Sequence, residues 1–389
     1  MKKTLVALAA LASVTVFAQT SVVIDGFIDR GYLATNSTLD TADTKTIASN
    51  SGTTTVGIKV NEDLGKGLTA GLSINTDWAD LGGVSQSTNL PAQAGLFANS
   101  QSFMHITSKD MGTLRLGSPN TFMLTNQIAV SAPAFSTGVG SMYSSAYGSQ
   151  NGLGTGTTGR GGTVDANAIS TTANHAGARA IRIANNIQYS SPTFNGFSLH
   201  LGLAQPNNNA TASGGYGNTV GQNETSLRYT NGPIDAMYST IKYTIGSNGV
   251  TQAQTTAASG AITVPADANT AQTSTQTQFG AVYTVMPNLK LNFGSGTFSS
   301  STSTYQGNNK SYGATYTMGQ IDFMLLMAST NDTATTNIDR KMTGMGLNYN
   351  LSKLTRAYIR TDNLNYNANG TAAAGTTVKR TAFGISKSF

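Results

Sequence analysis

Short segments in which apolar and polar residues alternate recur along most of this chain. In Phe197–Ala204, for example, leucines at every second position are separated by small or polar residues. Successive side chains of a strand point to opposite sides, so this alternation predicts strands with one apolar face. The pattern predicts about sixteen such strands, at Val22–Thr35, Thr53–Glu62, Leu68–Asp77, Ser102–Ser108, Thr113–Ser118, Ile181–Ser190, Phe197–Ala204, Glu224–Tyr229, Ile234–Tyr243, Thr275–Val285, Leu289–Ser299, Lys310–Thr317, Ile321–Ser329, Lys341–Asn350, Thr355–Leu364 and Val378–Phe389.

The connections between these segments alternate between short turns and long polar stretches. The turns are rich in Gly, Pro, Asn and Asp, as in Thr230–Pro233. The long stretches are Asn36–Gly52, Trp78–Gln101, Pro119–Ala180, Gln205–Asn223, Thr244–Ser274, Ser300–Asn309, Thr330–Arg340 and Asn365–Thr377. A barrel inserted into a membrane from one side has short turns on one rim and long loops on the other. The chain is therefore predicted to be all-β, an antiparallel transmembrane β-barrel.

Composition narrows the alternatives to this barrel or a soluble β-protein. Only 10% of the residues are charged, 43 are Gly and none is Cys. No segment after the amino terminus approaches eighteen consecutive apolar residues, which excludes transmembrane helices. The last strand carries its apolar face up to Phe389, which favours a strand facing lipid over a frayed soluble terminus.

The amino terminus has the pattern of a secretory signal. Lys2 and Lys3 precede an apolar run from Leu5 to Phe17, and Ala18 provides a small residue for cleavage. We expect a signal peptide over residues 1–18 and a mature barrel over 19–389. Removing the two lysines from the formal net charge of +6 leaves a mildly basic chain, too weak a balance to indicate a nucleic-acid partner.

Several of these stretches resemble the general, trimeric outer-membrane porins of Gram-negative bacteria, in particular the beta-proteobacterial type. The matching stretches are Val23–Asp29, Val60–Leu68, Met111–Ser118, Ile187–Phe197, Tyr229–Pro233, Asn348–Thr355 and the terminal Phe389. The sequence departs from the family where Ser118 replaces a basic or amide residue and Lys387 replaces His. The resemblance implies a sixteen-stranded homotrimer in the outer membrane, surrounded by lipid and lipopolysaccharide. It also implies that the third long loop folds into the lumen and that the assembly machinery reads Phe389.

In such a pore the chemistry is electrostatic and is carried by charged side chains that face the lumen. If the apolar residues mark the lipid face, the inward cations are Lys59, Arg115, Arg182, Arg228, Lys290, Arg356, Arg360 and Arg380. The inward acids are then Asp25, Asp29, Glu224, Asp235, Asp322 and Asp362. The third loop, Pro119–Ala180, carries Arg160, Asp165 and Arg179, so we expect an acid-poor constriction that favours anions. Alternatively, the arginines only anchor the loop by bonding its carbonyls.

The predicted function is passive diffusion of ions and small hydrophilic solutes through a water-filled channel. A substrate-specific channel and a structural or adhesive surface barrel are the alternatives. The glycine spacing at 154–159 resembles a dinucleotide fingerprint but lacks the flanking strand and helix, so we interpret it as loop. The three histidines, at 105, 175 and 200, do not have metal-binding spacing. No enzyme activity, cofactor or metal is predicted.

Overall fold

The computed structural model describes residues 20–38, 44–77, 100–135, 137–142, 182, 185–204, 221–245, 272–300, 306–333, 338–368 and 376–389. Within these residues, seventeen strands form one antiparallel sheet. The strands are β1 (Thr20–Ser37), β2 (Thr44–Ala48), β3 (Thr55–Gly65), β4 (Leu68–Asp77), β5 (Ser102–Ser108), β6 (Gly112–Ser118), β7 (Asn186–Ser190), β8 (Phe197–Ala204), β9 (Gly221–Asn231), β10 (Ile234–Ile245), β11 (Gln272–Met286), β12 (Leu289–Ser300), β13 (Gln306–Met318), β14 (Ile321–Asp332), β15 (Ile338–Asn350), β16 (Thr355–Ala368) and β17 (Thr376–Ser388).

The sheet closes on itself through β1. One edge of β1 pairs with β17, where Gly31 lies opposite Gly384. The other edge pairs with β3 near its start and with β2 further along. Because β2 and β3 follow one another along the same edge, they occupy one place in the ring, and the barrel has the sixteen strand positions predicted. A closed sheet satisfies its own backbone hydrogen bonds, as lipid requires.

Two local predictions need correction. The stretch Asn36–Gly52 was predicted to be a polar connection, but it contains β2, which turns back onto the outer end of β1. The strand predicted at Ile181–Ser190 begins at Asn186, after Asn185 with a positive φ of 59°.

The short turn between β3 and β4 runs through Gly65, Lys66 and Gly67, and all three have positive φ, which explains the two glycines.

Exposed and buried side chains alternate along the strands as the sequence predicted. In β14, Phe323, Leu325 and Met327 are exposed, whereas Met324, Leu326 and Ala328 are buried. A single-layered wall would leave both faces open, so the buried set must be covered from inside the barrel. No helix in the described ranges is long and apolar enough to cross a membrane.

The covering layer is a segment of the third long connection. It contains the helix α1 (Phe122–Thr125), a π-helix (Asn126–Val130) and a 3-10 helix (Pro133–Phe135). We call residues 119–135 and 137–142 the internal segment. Phe135 and Met142 have no exposed surface and join one apolar cluster with Leu326 and Met342 of the wall. The described part of the third long connection therefore lies inside the barrel, as the fold prediction stated.

Candidate functional site: the inner face of the barrel

Hydrogen bonds hold the first turns of the internal segment to β9, β10 and β11. The Thr121 side chain caps α1 by accepting from the backbone N–H of Leu124 at 3.0 Å. The buried carboxylate of Glu224 accepts from the backbone N–H of Met123 at 2.6 Å. Further along, the Asn126 side-chain amide donates to the carbonyls of Met237 and Gln278, both at 2.9 Å. A buried polar group has lost its hydrogen bonds to water, and leaving it without a protein partner is costly. These bonds therefore fix the segment against the wall.

A second set of contacts holds the far end of the internal segment to β15 and β16. The backbone N–H of Gly140 donates to Asp362 Oδ2 at 2.7 Å. Gly140 also lies against Gly344 of β15, where a Cβ would come within 2.7 Å of the Gly140 Cα atom. The segment thus follows the inner wall from β9 to β16.

The sequence analysis predicted that Asp29 lines the lumen. In the structure Asp29 is fully buried, so that prediction is wrong. Its carboxylate accepts hydrogen bonds from the backbone N–H of Ser51 at 2.5 Å and from the Tyr358 hydroxyl at 2.7 Å. The side chain lies on the predicted inward face, but the residues after β2 cover it. Asp29 therefore ties this covering stretch to β1 and β16.

Arg360 differs from its prediction in the same way. It is 3% exposed, donates to the Ser51 carbonyl at 3.3 Å, and lies 5.4 Å from the centre of the Phe135 ring. Its guanidinium holds loop backbone, which is the anchoring role that the sequence left open for each arginine.

Four predicted inward cations form ion pairs with carboxylates, three of them across neighbouring strands. Arg228 and Asp235 make a bidentate pair at 2.8 and 2.6 Å. Arg182 lies 3.3 Å from Asp77, which was not among the predicted inward acids. The two others are Lys59 with Asp25, and Arg380 with Asp362 at 2.5 Å. Pairing removes much of the field that these cations would contribute to a pore.

Three predicted inward cations make no ion pair with any described carboxylate. Arg115 donates to the Ser190 hydroxyl at 3.0 Å. Arg356 donates to the Ser386 hydroxyl at 3.0 Å, and its guanidinium lies 5.8 Å from the centre of the Phe27 ring. Lys290 is exposed on the inward face of β12. Neutral partners leave the charge of these side chains uncompensated.

The remaining predicted residues have the following places. Asp322 accepts from the Thr317 hydroxyl and the Asn350 amide, both at 2.8 Å, so it is bound only by neutral groups. Phe389 exchanges two backbone hydrogen bonds with Gly26, each 3.1 Å long, and its ring lies over that glycine. Arg160, Asp165, His175 and Arg179 lie outside the described residues.

Sequence reasoning missed most of the residues that dock the internal segment. Asn126, Tyr358 and Phe135 carried no recognisable motif. One signal was present, because β10 and β14 have apolar residues at both parities, such as Met237 and Leu326 on the inward face. Strands that line only water have no need of such inward residues. His200 was placed in no site, yet its ring stacks on Phe122 at 4.7 Å and bonds to Ser190.

Comparisons with known proteins agree with this architecture. The family model described as Gram-negative porin matches residues 4–369. No curated protein sequence matches significantly. An anion-selective porin from Comamonas acidovorans has a TM-score of 0.68 and 20% identity, over 95% of this chain and 100% of that one. The Vibrio cholerae OmpT trimer form has a TM-score of 0.58 and 11% identity, over 95% and 99%. OmpF of Salmonella typhi, in complex with daunomycin, has a TM-score of 0.58 and 13% identity, over 95% of this chain and 97% of that one. At these identities the likeness to solved structures establishes the fold alone.

Proposed function

The chain belongs to the Gram-negative porin family and is an outer-membrane channel for passive diffusion, and we propose that this channel prefers anions. The observation that supports this preference is that some charged side chains on the inner face are paired and others are not. Arg115, Lys290 and Arg356 have no ion-pair partner among the described carboxylates. A pore whose wall carries uncompensated cations has a positive potential, which concentrates anions and repels cations.

Among the predicted inward acids, Asp322 alone is exposed to the lumen without a cationic partner, so one free carboxylate faces three free cations. Glu224 and Asp29 are buried, and their carboxylates accept bonds from backbone N–H groups. Asp25, Asp235 and Asp362 are each paired with a cation. The fold of the anion-selective Comamonas porin supports the same preference, without assigning it to particular residues here.

The test is the reversal potential of purified protein in a planar bilayer under a KCl gradient. The wild type should prefer chloride, and the variant R115Q/K290Q/R356Q should lose most of that preference. The matched control is R228Q/D235N, which also removes charged side chains from the inner face but leaves its net charge unchanged. A cation-selective wild type, or an equal shift in both variants, would refute the proposal.

Several further expectations about the intact protein belong to the same proposal. We propose cleavage of a signal peptide over residues 1–18, a homotrimeric assembly, contact with lipopolysaccharide, and recognition of Phe389 by the outer-membrane assembly machinery. The trimer form of Vibrio OmpT, which has the same fold, supports a trimer. We propose that the internal segment forms the constriction and that the protein catalyses no reaction, since a channel needs none.

A further inference from the structure

Five polar side chains, none of them acidic, lie close together on the inner faces of β5 to β8. We call this group the exit cluster; its members are His105, Arg115, Ser190, Ser198 and His200. In the strand register Arg115 lies directly opposite His105, and His200 lies directly opposite Ser190. The exit cluster therefore brings a cation, two imidazoles and two hydroxyls to one part of the wall.

A chain of hydrogen bonds joins four of these side chains. Arg115 Nη1 donates to Ser190 Oγ at 3.0 Å. The same oxygen lies 3.0 Å from His200 Nδ1, and His200 Nε2 lies 3.1 Å from Ser198 Oγ. If Nε2 carries the proton, Ser190 donates to His200 and the hydroxyl hydrogen of Ser198 is left over; if Nδ1 carries it, the hydrogen of Ser190 is left over. In either tautomer, one serine hydroxyl can still donate to a further acceptor.

The side chains of Arg115 and His105 lean apart although the two residues are directly opposite each other. The Arg115 guanidinium reaches across to β7. The His105 ring lies over Gly71 of β4, where a Cβ would meet its Cε1 atom at 2.7 Å. Opposed Cβ atoms in an antiparallel pair are about 5 Å apart, so the divergence opens a gap between the two charged or polar groups.

The exit cluster has more hydrogen-bond donors than the described protein uses. A guanidinium has five N–H donors, and one of those of Arg115 has a described hydrogen bond. His105 Nδ1 is buried and has no hydrogen-bond partner among the described residues. Along the same wall, Arg228 and Asp235 neutralise each other, and Glu224 is buried against α1. A group of donors that lacks a carboxylate to accept from it is suited to an anion.

The exit cluster lies between the internal segment and the short turns. Arg115 is three residues from Gly112 at the start of β6, and His200 is three residues from Phe197 at the start of β8. At about 3.4 Å per residue and a tilt near 40°, this is roughly 8 Å above the turns. On the other side, the Phe122 ring of the internal segment stacks on His200 at 4.7 Å. Because short turns face the periplasm, a solute that has passed the internal segment meets the exit cluster on its way out.

Anchoring of the internal segment does not account for the exit cluster. Arg360, which does anchor loop backbone, donates to the carbonyl of Ser51. Arg115 instead donates to a hydroxyl of the neighbouring strand. A neutral hydroxyl orients the guanidinium without cancelling its charge, so the charge stays available to a solute.

We propose that the exit cluster is a saturable binding site for an oxyanion group, namely the phosphate or carboxylate of a permeating solute. The planar fork of Arg115 matches two oxygens of one such group. The N–H of His105 and the remaining serine hydroxyl can donate to the same group from either side of the gap. A spherical halide cannot accept from several diverging donors in this way. The inference rests on the proposed anion channel and adds to its general potential a discrete site with its own affinity.

The test measures how an added oxyanion reduces the chloride current of single channels at pH 8, where an ordinary histidine is neutral. Inorganic phosphate and succinate are titrated separately, and bromide at equal ionic strength is the spherical control. The variants R115Q, R115K and H105Q change the exit cluster. The matched control R356Q removes the same charge from an arginine that also bonds to a serine, on the distant strand β16. Each variant is first recorded without oxyanion to establish that it conducts.

Phosphate, succinate or both should block the wild type saturably, and bromide should not. R115Q should raise the half-blocking concentration about tenfold, because charge-assisted hydrogen bonds to the oxyanion are lost. R115K keeps the charge without the planar fork, and H105Q changes no charge at this pH; each should raise the half-blocking concentration at least about threefold. R356Q should change it less than about twofold, because salt screens a charge on a distant wall.

Equal half-blocking concentrations in R115Q and R356Q would overturn the proposal, because the wall potential would then explain both. Wild-type block in R115K would also overturn it, and this variant decides the question if R115Q does not conduct. A chloride-selective wild type without saturable block contradicts the exit cluster as a site and leaves the anion preference standing. A cation-selective wild type with saturable block contradicts the anion preference alone.

Discussion

Replacing Asp362 with Asn tests whether the internal segment is held by its buried carboxylate. The Asp362 side chain has no exposed surface, and that of Arg380 is 11% exposed. The carboxylate accepts from Gly140 N at 2.7 Å, and from Arg380 at 2.9 and 2.5 Å. An Asn side chain keeps the shape but has no charge, and its amide N–H₂ would face two donors. The substitution therefore weakens the attachment of the segment and removes the carboxylate that Arg380 binds.

The free energy lost on docking depends on which of these bonds hold the internal segment to the wall. Breaking a buried pair from one side destabilises a protein by about 3–5 kcal/mol. Only the bond from Gly140 bears on docking, and a hydrogen bond to a charged group contributes about 1.5–3 kcal/mol. A loss of about 2 kcal/mol raises the population of the detached state about 30-fold. The apolar contacts of Phe135 and Met142 remain, so the segment stays docked most of the time.

The assay is single-channel recording in planar bilayers. D362N should show brief current excursions about 30-fold more often than wild type, with little change in the main conductance level. The control D322N removes an inward carboxylate that bonds only to Thr317 and Asn350 and does not contact the segment. The double variant D362N/R380Q should show the excursion rate of D362N, because the bond from Gly140 is lost in both. Equal excursion rates in D362N and D322N would refute the anchoring role.

Two more predictions concern close contacts of the barrel wall. Gly344→Val should displace the internal segment, because a Cβ there meets Gly140 at 2.7 Å; we expect a loss of about 1–3 kcal/mol by thermal unfolding, whereas the outward neighbour T343V should be neutral. A lipid-facing position that is as sensitive as Gly344 would contradict this. Deleting Phe389 removes two hydrogen bonds to Gly26 and should slow folding into lipid vesicles several-fold while leaving the conductance of the folded fraction unchanged. Wild-type folding kinetics without Phe389 would argue against it.

The strands could be predicted because each one obeys a local rule. Alternation of apolar and polar residues needs no partner to be recognised, and it correctly predicted the sixteen strand positions. It missed β2 because Thr44–Ala48 alternates threonine with lysine and isoleucine inside a polar stretch, and β2 pairs only with the outer end of β1. A five-residue strand flanked by loop carries too little pattern to stand out.

Parity identifies the face of a residue but not what covers that face. Asp29, Arg360 and Arg115 all lie on the inward side, yet only Arg115 remains without loop backbone against its charged group. The difference arises from stretches distant in sequence, one after β2 and one within the third connection. Their docking depends on single amides and glycines, such as Asn126 and Gly140, whose roles exist only once the barrel has closed.

The inner and outer faces use charge in opposite ways, and the register of the sheet explains why. On the inner face, cations sit beside acids of the next strand, as Arg228 sits beside Asp235, because the lumen-facing positions of neighbouring strands lie within bonding distance. On the outer face, Lys310 and Lys341 share one rung, with Ser329 of β14 between them. Three of the four described ion pairs join adjacent strands in this way. Lys310 and Lys341, with a strand between them, take part in no described ion pair.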